Sequence, residues 1–378
     1  MLKLIIGADV VPTKSNLTLF KNGAAEELVG KELLDILQQA DYRICNLEVP
    51  LVDKVDPIKK CGPNLIAPTR SIAGYKALSI DLVTLANNHI MDQGIQGLNS
   101  TINVLKKANV AYVGVGENLF QASKPYIIEK NGIKVGIYAC AEHEFSIAED
   151  DYPGANPYEP LESFDHVKAL KKECDYVIVL YHGGKEHYRY PSPYLQRIFR
   201  KFADVGAAYI IAQHTHCVGC EEVYNGTHLI YGQGNFIFDN ADNEYWNNAL
   251  LIMIEFNKNN SSIDYIPVEK QGAVIKLSKD KNIIDEFEYR NKQILDNKFI
   301  KKQYAQFAKS MSRDYCYRLS GKFARCLPIR VINKLTNYKL LKWIYGMQEK
   351  LNIENCLECE AHRELLLEGM KDNGRDKS

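Results

Sequence analysis

Short apolar runs alternate with amphipathic stretches through the first two hundred residues of this 378-residue chain, and that rhythm restricts it to a sheet built from β/α units. The runs are LKLIIGA, YRICNLE, LVTLAN, AYVGVG, YIIEKNGIKVGIYAC, YVIVLYHGG and AYIIAQHTH. Between them the spacing predicts helices near 26–39, 95–108, 163–173 and 193–205. After residue 220 the helices stop. EEVYNGTHLIYGQGNFIF, ALLIMIEF and SSIDYIPVEK read as strands, with an Asn-Gly tight turn. A β-rich finish beside an α/β start predicts two stacked sheets with helices outside. From about 280 the pattern turns helical, so a boundary is expected between 275 and 290, with a catalytic domain over 1–280 and a helical, basic extension over 281–378 ending in a disordered tail.

Polar residues stand where these strands end. Asp9 follows the first run, Asn46 and Glu48 the second, Asn87, Asn88 and His89 the third, His182 the sixth, and His214 and His216 the seventh. In α/β sheets the carboxyl ends of strands are where ligands bind. Any one of these residues alone reads as a cap, an Asn-rich turn or a structural histidine. Five strand ends carrying such residues read as a site. Carboxylate, carboxamide and imidazole without clustered thiolate form an oxygen and nitrogen donor set suited to Mn, Fe, Zn or Mg. If His214-Thr215-His216 is extended, both imidazoles face the same way and can hold two neighbouring ions.

Composition adds exclusions. An apolar fraction of 46% and a charged fraction of 25% are those of an ordinary globular protein, and a formal net charge of zero gives no field pointing to nucleic acid. No run reaches the roughly 18 apolar residues of a membrane span. The apolar start runs straight into Asp9, too short for a cleavable leader, and the ten cysteines form no framework, so a reducing cytoplasm is expected.

The segments GADVV (7–11), NLEVPL (46–51), LANNHIMDQGIQGLNST (85–101), VGVGEN (113–118), HGGKEHYRYPSPYLQ (182–196) and AQHTHCVGCEEVYNGTHLIYGQGNFIFD (212–239) resemble, in order, the CapA or poly-γ-glutamate capsule-synthesis proteins, which are similar to calcineurin-like metallophosphoesterases. The resemblance implies an α/β fold, a four-layer αββα sandwich of two mixed sheets, with the helical C-terminal appendage added. It implies one or two divalent ions, one held by Asp9, Glu48 and His216 and its neighbour by Glu48, Asn88, His182 and His214. His89 would serve as the catalytic histidine with Asp92 orienting it. Glu186 would support His182, Asn46 would support the ligands or bind substrate, and Asn235 and Asp239 would shape the pocket wall. Two positions depart from the broader phosphoesterase pattern, Val11 where a histidine is usual and Glu48 where an aspartate is usual.

The function expected is metal-dependent hydrolysis of a phosphoester or related bond in capsule, exopolysaccharide or poly-γ-glutamate synthesis, on an anionic polymer or a phosphorylated small molecule or glycan. A non-catalytic metal-binding component of a polymer synthase or export complex, and a metal-dependent amide hydrolase, are the alternatives. Residues 297–345 carry twelve Lys and Arg against one acid, interleaved with aromatic and aliphatic residues, so peripheral contact with the inner membrane surface is a further expectation. Cys356, Cys359 and His362 form a weak zinc pattern, and Cys217 and Cys220 another beside His216.

Overall fold

A computed structural model describes residues 1–239, 243–322 and 326–370. Its strands, in chain order, are β1 (Leu2–Val10), β2 (Tyr42–Leu47), β3 (Leu82–Thr84), β4 (Ala111–Val113), β5 (Val115–Gly116), β6 (Tyr126–Lys130), β7 (Ile133–Ala141), β8 (Gly154–Ala155), β9 (Tyr176–His182), β10 (Tyr209–Gln213), β11 (Glu221–Tyr224), β12 (Thr227–Ile230), β13 (Asn235–Ile237), β14 (Asn248–Phe256), β15 (Ser261–Gln271) and β16 (Val274–Leu277). One sheet runs β16-β15-β14-β1-β2-β3-β4 with β13 added beside β1, and the second runs β11-β12-β10-β9-β7-β6. Both are mixed. β1 to β4 are mutually parallel, whereas β14 joins β1 antiparallel. In the second sheet β7, β9, β10 and β12 are parallel, with β6 and β11 antiparallel at the edges.

The period of two along each strand sorts side chains between layers. From β1, Leu2, Leu4 and Ile6 meet Ile137, Ala139, Ile178, Leu180 and Ile211 of the second sheet, making the core between the sheets. Ile5 points the other way with Cys45 and Val83, under Leu33, Leu37, Tyr75, Leu98 and Leu105 of the outer helices. On the far side Val177, Val179, Tyr181 and Ile210 pack under Leu195, Phe199 and Phe202 of helix Pro193–Asp204. Four layers result, αββα, and strands covered on both faces explain why their sequences are apolar almost throughout.

Helices over Gly94–Ala108, Ser163–Lys171 and Pro193–Asp204 lie where the spacing predicts them. The helix expected over 26–39 is instead two, Ala25–Val29 and Lys31–Gln38, because Gly30 adopts a φ of +73° between them. The first compact unit extends to Lys301, beyond the expected break after 280. Helix Asn282–Gln293 belongs to it: Ile283 and Phe287, one turn apart, pack with Val218 and Leu250, and Arg290 donates from Nε to the Gly219 carbonyl at 2.7 Å. Ile294 and Ile300 then enter the core beneath the second sheet.

The second unit, from Lys302, is helical. It contains Leu327–Leu335, Lys339–Ile344, Met347–Glu358 and Glu360–Met370. The disordered tail is expected over 370–378; Met370 instead ends the last helix, and 371–378 lie outside the described residues. Among the described residues no helix is long and apolar enough to cross a membrane.

Candidate metal centre

The parallel strands of both sheets point their carboxyl ends at one edge of the sandwich. Register brings the polar residues level there, with Asp9 beside Asn46 of β2 and Asn235 of β13, and His182 beside Gln213 of β10. The first sheet delivers Asp9, Glu48 and Asn88, and the second delivers His182, His214 and His216. All six are buried.

Two groups emerge in which one ligand atom from each residue lies within 4.8 Å of the others: Asp9 with Glu48 and His216, and Glu48 with His182 and His214. Glu48 is common to both. Asn88 joins the second, its Oδ1 3.0 Å from His182 Nε2, while its Nδ2 donates to Glu144 Oε2 at 3.0 Å and so turns the carbonyl inward. Among the described residues these are the only such groups, so the Cys356, Cys359 and His362 pattern gathers no site, and Cys217 and Cys220 are buried free thiols.

His214 and His216 are not on an extended segment. β10 ends at Gln213, and the two histidines take φ values of +89° and +54° in the bend that follows. Left-handed backbone at a residue with a Cβ is strained, and such strain collects at functional sites. The bend separates the rings, with centroids 5.8 Å apart, so each joins a different group.

The supporting contacts differ from expectation at two residues. Glu186 faces His214, with Oε1 3.9 Å from Nε2, and is half-exposed, so it does not support His182. Asn46 does, through Nδ2 at 3.2 Å from His182 Nδ1 and at 2.8 Å as donor to Asp9 Oδ1, with its own Oδ1 held by Asn87 Nδ2 at 3.0 Å. Asn235 is no wall residue: its Oδ1 sits 2.9 Å from His216 Nδ1 and fixes that ring. Asp239 accepts hydrogen bonds from Thr13 and Ser15 in the loop leaving β1.

His89 stands beside this centre with Nδ1 2.6 Å from Asp92 Oδ2. Sequence reasoning missed Lys60, a buried cation ion-paired to Asp92 Oδ1 with its Nζ 3.2 Å from His89 Nδ1. Lys60 lies in a loop without periodicity, and only the fold brings it to Asp92. Trp246 was missed too. Its ring centroid is 4.5 Å from that of His216, and its indole N–H donates to His187 Nε2 at 2.9 Å, which keeps His187 out of the centre.

Burial disfavours charge on Asp9, yet the His216 hydrogen bond and the His182 charge outweigh it and hold the carboxyl at about 2. Burial, with Asp9 beside it, pushes Glu48 up to about 8. Burial alone would lower His216, but its bond to Asp9 and the Glu48 charge raise it to about 9. His182 is pushed down to about 4 by burial, and His214 well below its ordinary value by burial and the His182 charge. Both therefore present neutral imidazoles at pH 7, the form that binds metal.

Two mixed sheets packed face to face between helical layers, with polar side chains gathered at parallel strand ends, define a four-layer αββα sandwich with a candidate site at one edge. The chain belongs to the bacterial capsule synthesis protein family, PGA_cap, whose pattern matches residues 4–240. It is 31% identical over 209 residues to the PGA biosynthesis protein CapA of Bacillus subtilis, covering 54% of this chain and 55% of that protein. It is 29% identical over 259 residues to the capsule biosynthesis protein CapA of Bacillus anthracis, covering 66% and 63%. The chain thus spans between about half and two thirds of the length of these curated relatives. Similar solved structures include a phosphatase from Mycoplasma pneumoniae, TM-score 0.44 and 17% identity over 71% of this chain and 94% of that one. Another is a 5'-nucleotidase precursor from Thermus thermophilus, TM-score 0.43 and 16% identity over 82% and 59%.

Proposed function

We propose that this chain is a hydrolase using two divalent ions, acting on a phosphoester or related bond of an anionic polymer or phosphorylated glycan in capsule or polyglutamate synthesis. The observation that carries this reading is Glu48. Its side chain is fully buried, neither carboxylate oxygen accepts a hydrogen bond, and it lies within both donor groups. Burying both oxygens without a hydrogen bond is unfavourable, and a cation held between them would remove that cost and favour the ionised form. His214 Nδ1 is likewise buried without a partner. The donors fit the ions: Asp9, Glu48 and His216 would hold one, and Glu48, Asn88, His182 and His214 the other.

When bound, such ions neutralise an anionic substrate and acidify the attacking water. The residues of the chain do the rest. Asn46 holds Asp9 and His182 in place, and Asn235 holds His216. His89 is fixed through Nδ1 by Asp92, which leaves Nε2 to donate a proton. Water adds to phosphorus and loses one proton to solvent, the ester P–O bond breaks, and a proton from His89 Nε2 goes to the departing oxygen, His89 being reprotonated from solvent afterwards. Lys60 balances the charge of buried Asp92 and keeps that carboxylate where His89 needs it.

Elemental analysis of wild type, Glu48→Ala and His214→Ala, with turnover of bis(p-nitrophenyl) phosphate and p-nitrophenyl phosphate under added Mn, tests the proposal. Two ions per chain and turnover, both confined to wild type, are expected. Bound metal without turnover would reassign the centre to a binding role or an amide bond, and wild type without metal under replete conditions would end the proposal.

A further inference from the structure

Outside the centre, the second unit presents an apolar surface that its own packing does not use. Helix Leu327–Leu335 and helix Lys339–Ile344 form a hairpin pinned by Asn333, whose carbonyl accepts from Tyr338 N at 2.6 Å and whose Oδ1 accepts from Leu341 N at 2.9 Å. Asn333, Leu341 and Tyr345 are its buried side, and Tyr345 is tied to Ser320 at 2.9 Å. The interior of the hairpin is therefore already filled.

Facing outward are Leu327, Val331 and Leu335, spaced four apart on one helical face, and Trp343 on the next helix. Leu327 is 73% exposed, Leu335 80% and Trp343 79%. Arg330, Lys334, Lys339 and Lys342 stand exposed among them. From residue 315 to 348 the chain contains no Asp or Glu and seven Lys or Arg. Aliphatic side chains, an exposed indole and uncompensated cations on one short hairpin match an interface that is apolar below and anionic above.

We propose that this hairpin docks the protein on an anionic lipid bilayer, with Trp343, Leu327 and Leu335 entering the headgroup and acyl boundary and the four cations pairing with lipid phosphates. A soluble polyanion would match the cations but gain nothing from the exposed Leu and Trp side chains, which is why a bilayer fits the whole surface. The inference is independent of the metal centre and stands whether or not that centre turns over substrate.

The test is co-sedimentation of the full chain with vesicles of phosphatidylcholine, with or without phosphatidylglycerol, at low and high salt. Wild type should partition about tenfold or more in favour of the anionic vesicles at low salt, and less at high salt. Leu335→Glu with Trp343→Glu should lower that partitioning by about tenfold, as should Arg330→Gln with Lys334→Gln. These side chains are exposed, so unchanged circular dichroism is expected and separates lost docking from lost folding. Brominated acyl chains should quench Trp343 and spare buried Trp246. Equal binding to neutral and anionic vesicles, or binding indifferent to both double substitutions, overturns the proposal. Retention on immobilised polyglutamate with no vesicle binding also overturns it and assigns the surface to a soluble polyanion.

Discussion

Replacing Asn46 with alanine should weaken the metal centre without touching a ligand. Asn46 is fully buried, and its amide N–H bonds Asp9 Oδ1 at 2.8 Å and approaches His182 Nδ1 at 3.2 Å, so one side chain holds one proposed ligand of each ion. A hydrogen bond to an ionised group contributes roughly 1.5–3 kcal/mol. In the metal-free protein the substitution should therefore cost about 2–3 kcal/mol, or about 3–5 °C in Tm for a unit of this size. Partners that orient metal ligands typically account for a factor of about 10–100 in affinity, and Mn binding should weaken by that amount. Glu186→Ala is the comparison. Glu186 is half-exposed at 3.9 Å from His214, and such a contact contributes under about 1 kcal/mol, so affinity should fall by a few-fold at most. Calorimetric titration of chelator-treated protein with Mn, together with melts in chelator, reads both quantities. If Asn46→Ala binds Mn like wild type, or if Glu186→Ala loses more than Asn46→Ala, the supporting role assigned to Asn46 is wrong.

Metal-free protein should lose stability as pH rises. Glu48, raised from 4.5 to about 8, and His216, raised from 6.5 to about 9, each bind a proton more tightly folded than unfolded. Their contributions are complete below about 4.5 and 6.5 and are lost as pH climbs through 8 and 9, so Tm in chelator should fall across that window and flatten under saturating Mn. A Tm rising over pH 6 to 9 in chelator would contradict this. His89→Asn should slow hydrolysis of an alkyl phosphoester by about 10²–10⁴ and of a p-nitrophenyl ester far less, because p-nitrophenolate departs without a proton. Equal losses on the two esters would remove His89 from that role. Lys60→Met strands buried Asp92 and should destabilise by about 3–5 kcal/mol, while adding Asp92→Asn should recover most of that in denaturant melts. Gly7→Ala would put a Cβ 2.7 Å from Phe236 Cδ1, between the two strands carrying Asp9 and Asn235, and should cost about 1–3 kcal/mol by thermal melt.

The strand pattern was legible because burial on both faces leaves apolar runs, and the polar residues at their ends stood out because they interrupt those runs. The positions of Asp9, Glu48, Asn88, His182, His214 and His216 could be read one strand at a time. Contacts between strands could not. Asn46 reaches His182 across the two sheets, and Lys60 reaches Asp92 from an aperiodic loop, so neither pairing has a local signature. Glu186 was expected beside His182 from the family resemblance, but its carboxylate faces His214 instead. The bend at His214 and His216 defeated the strand argument because a positive φ at histidine is dictated by surroundings rather than by propensity. The boundary expected after 280 followed the change of pattern, but Ile283 and Phe287 beyond it still had apolar surface to cover.

The donors divide by layer, with carboxylate and carboxamide oxygens from the first sheet and imidazole nitrogens from the second. Neither sheet carries a complete coordination set. An ion that binds both halves cross-links the sandwich much as a rivet joins two plates, so metal occupancy measures whether the sheets are docked. Partial unfolding that parts the sheets should release metal before either sheet loses its own hydrogen bonds, and chelation should loosen the sandwich first at this edge.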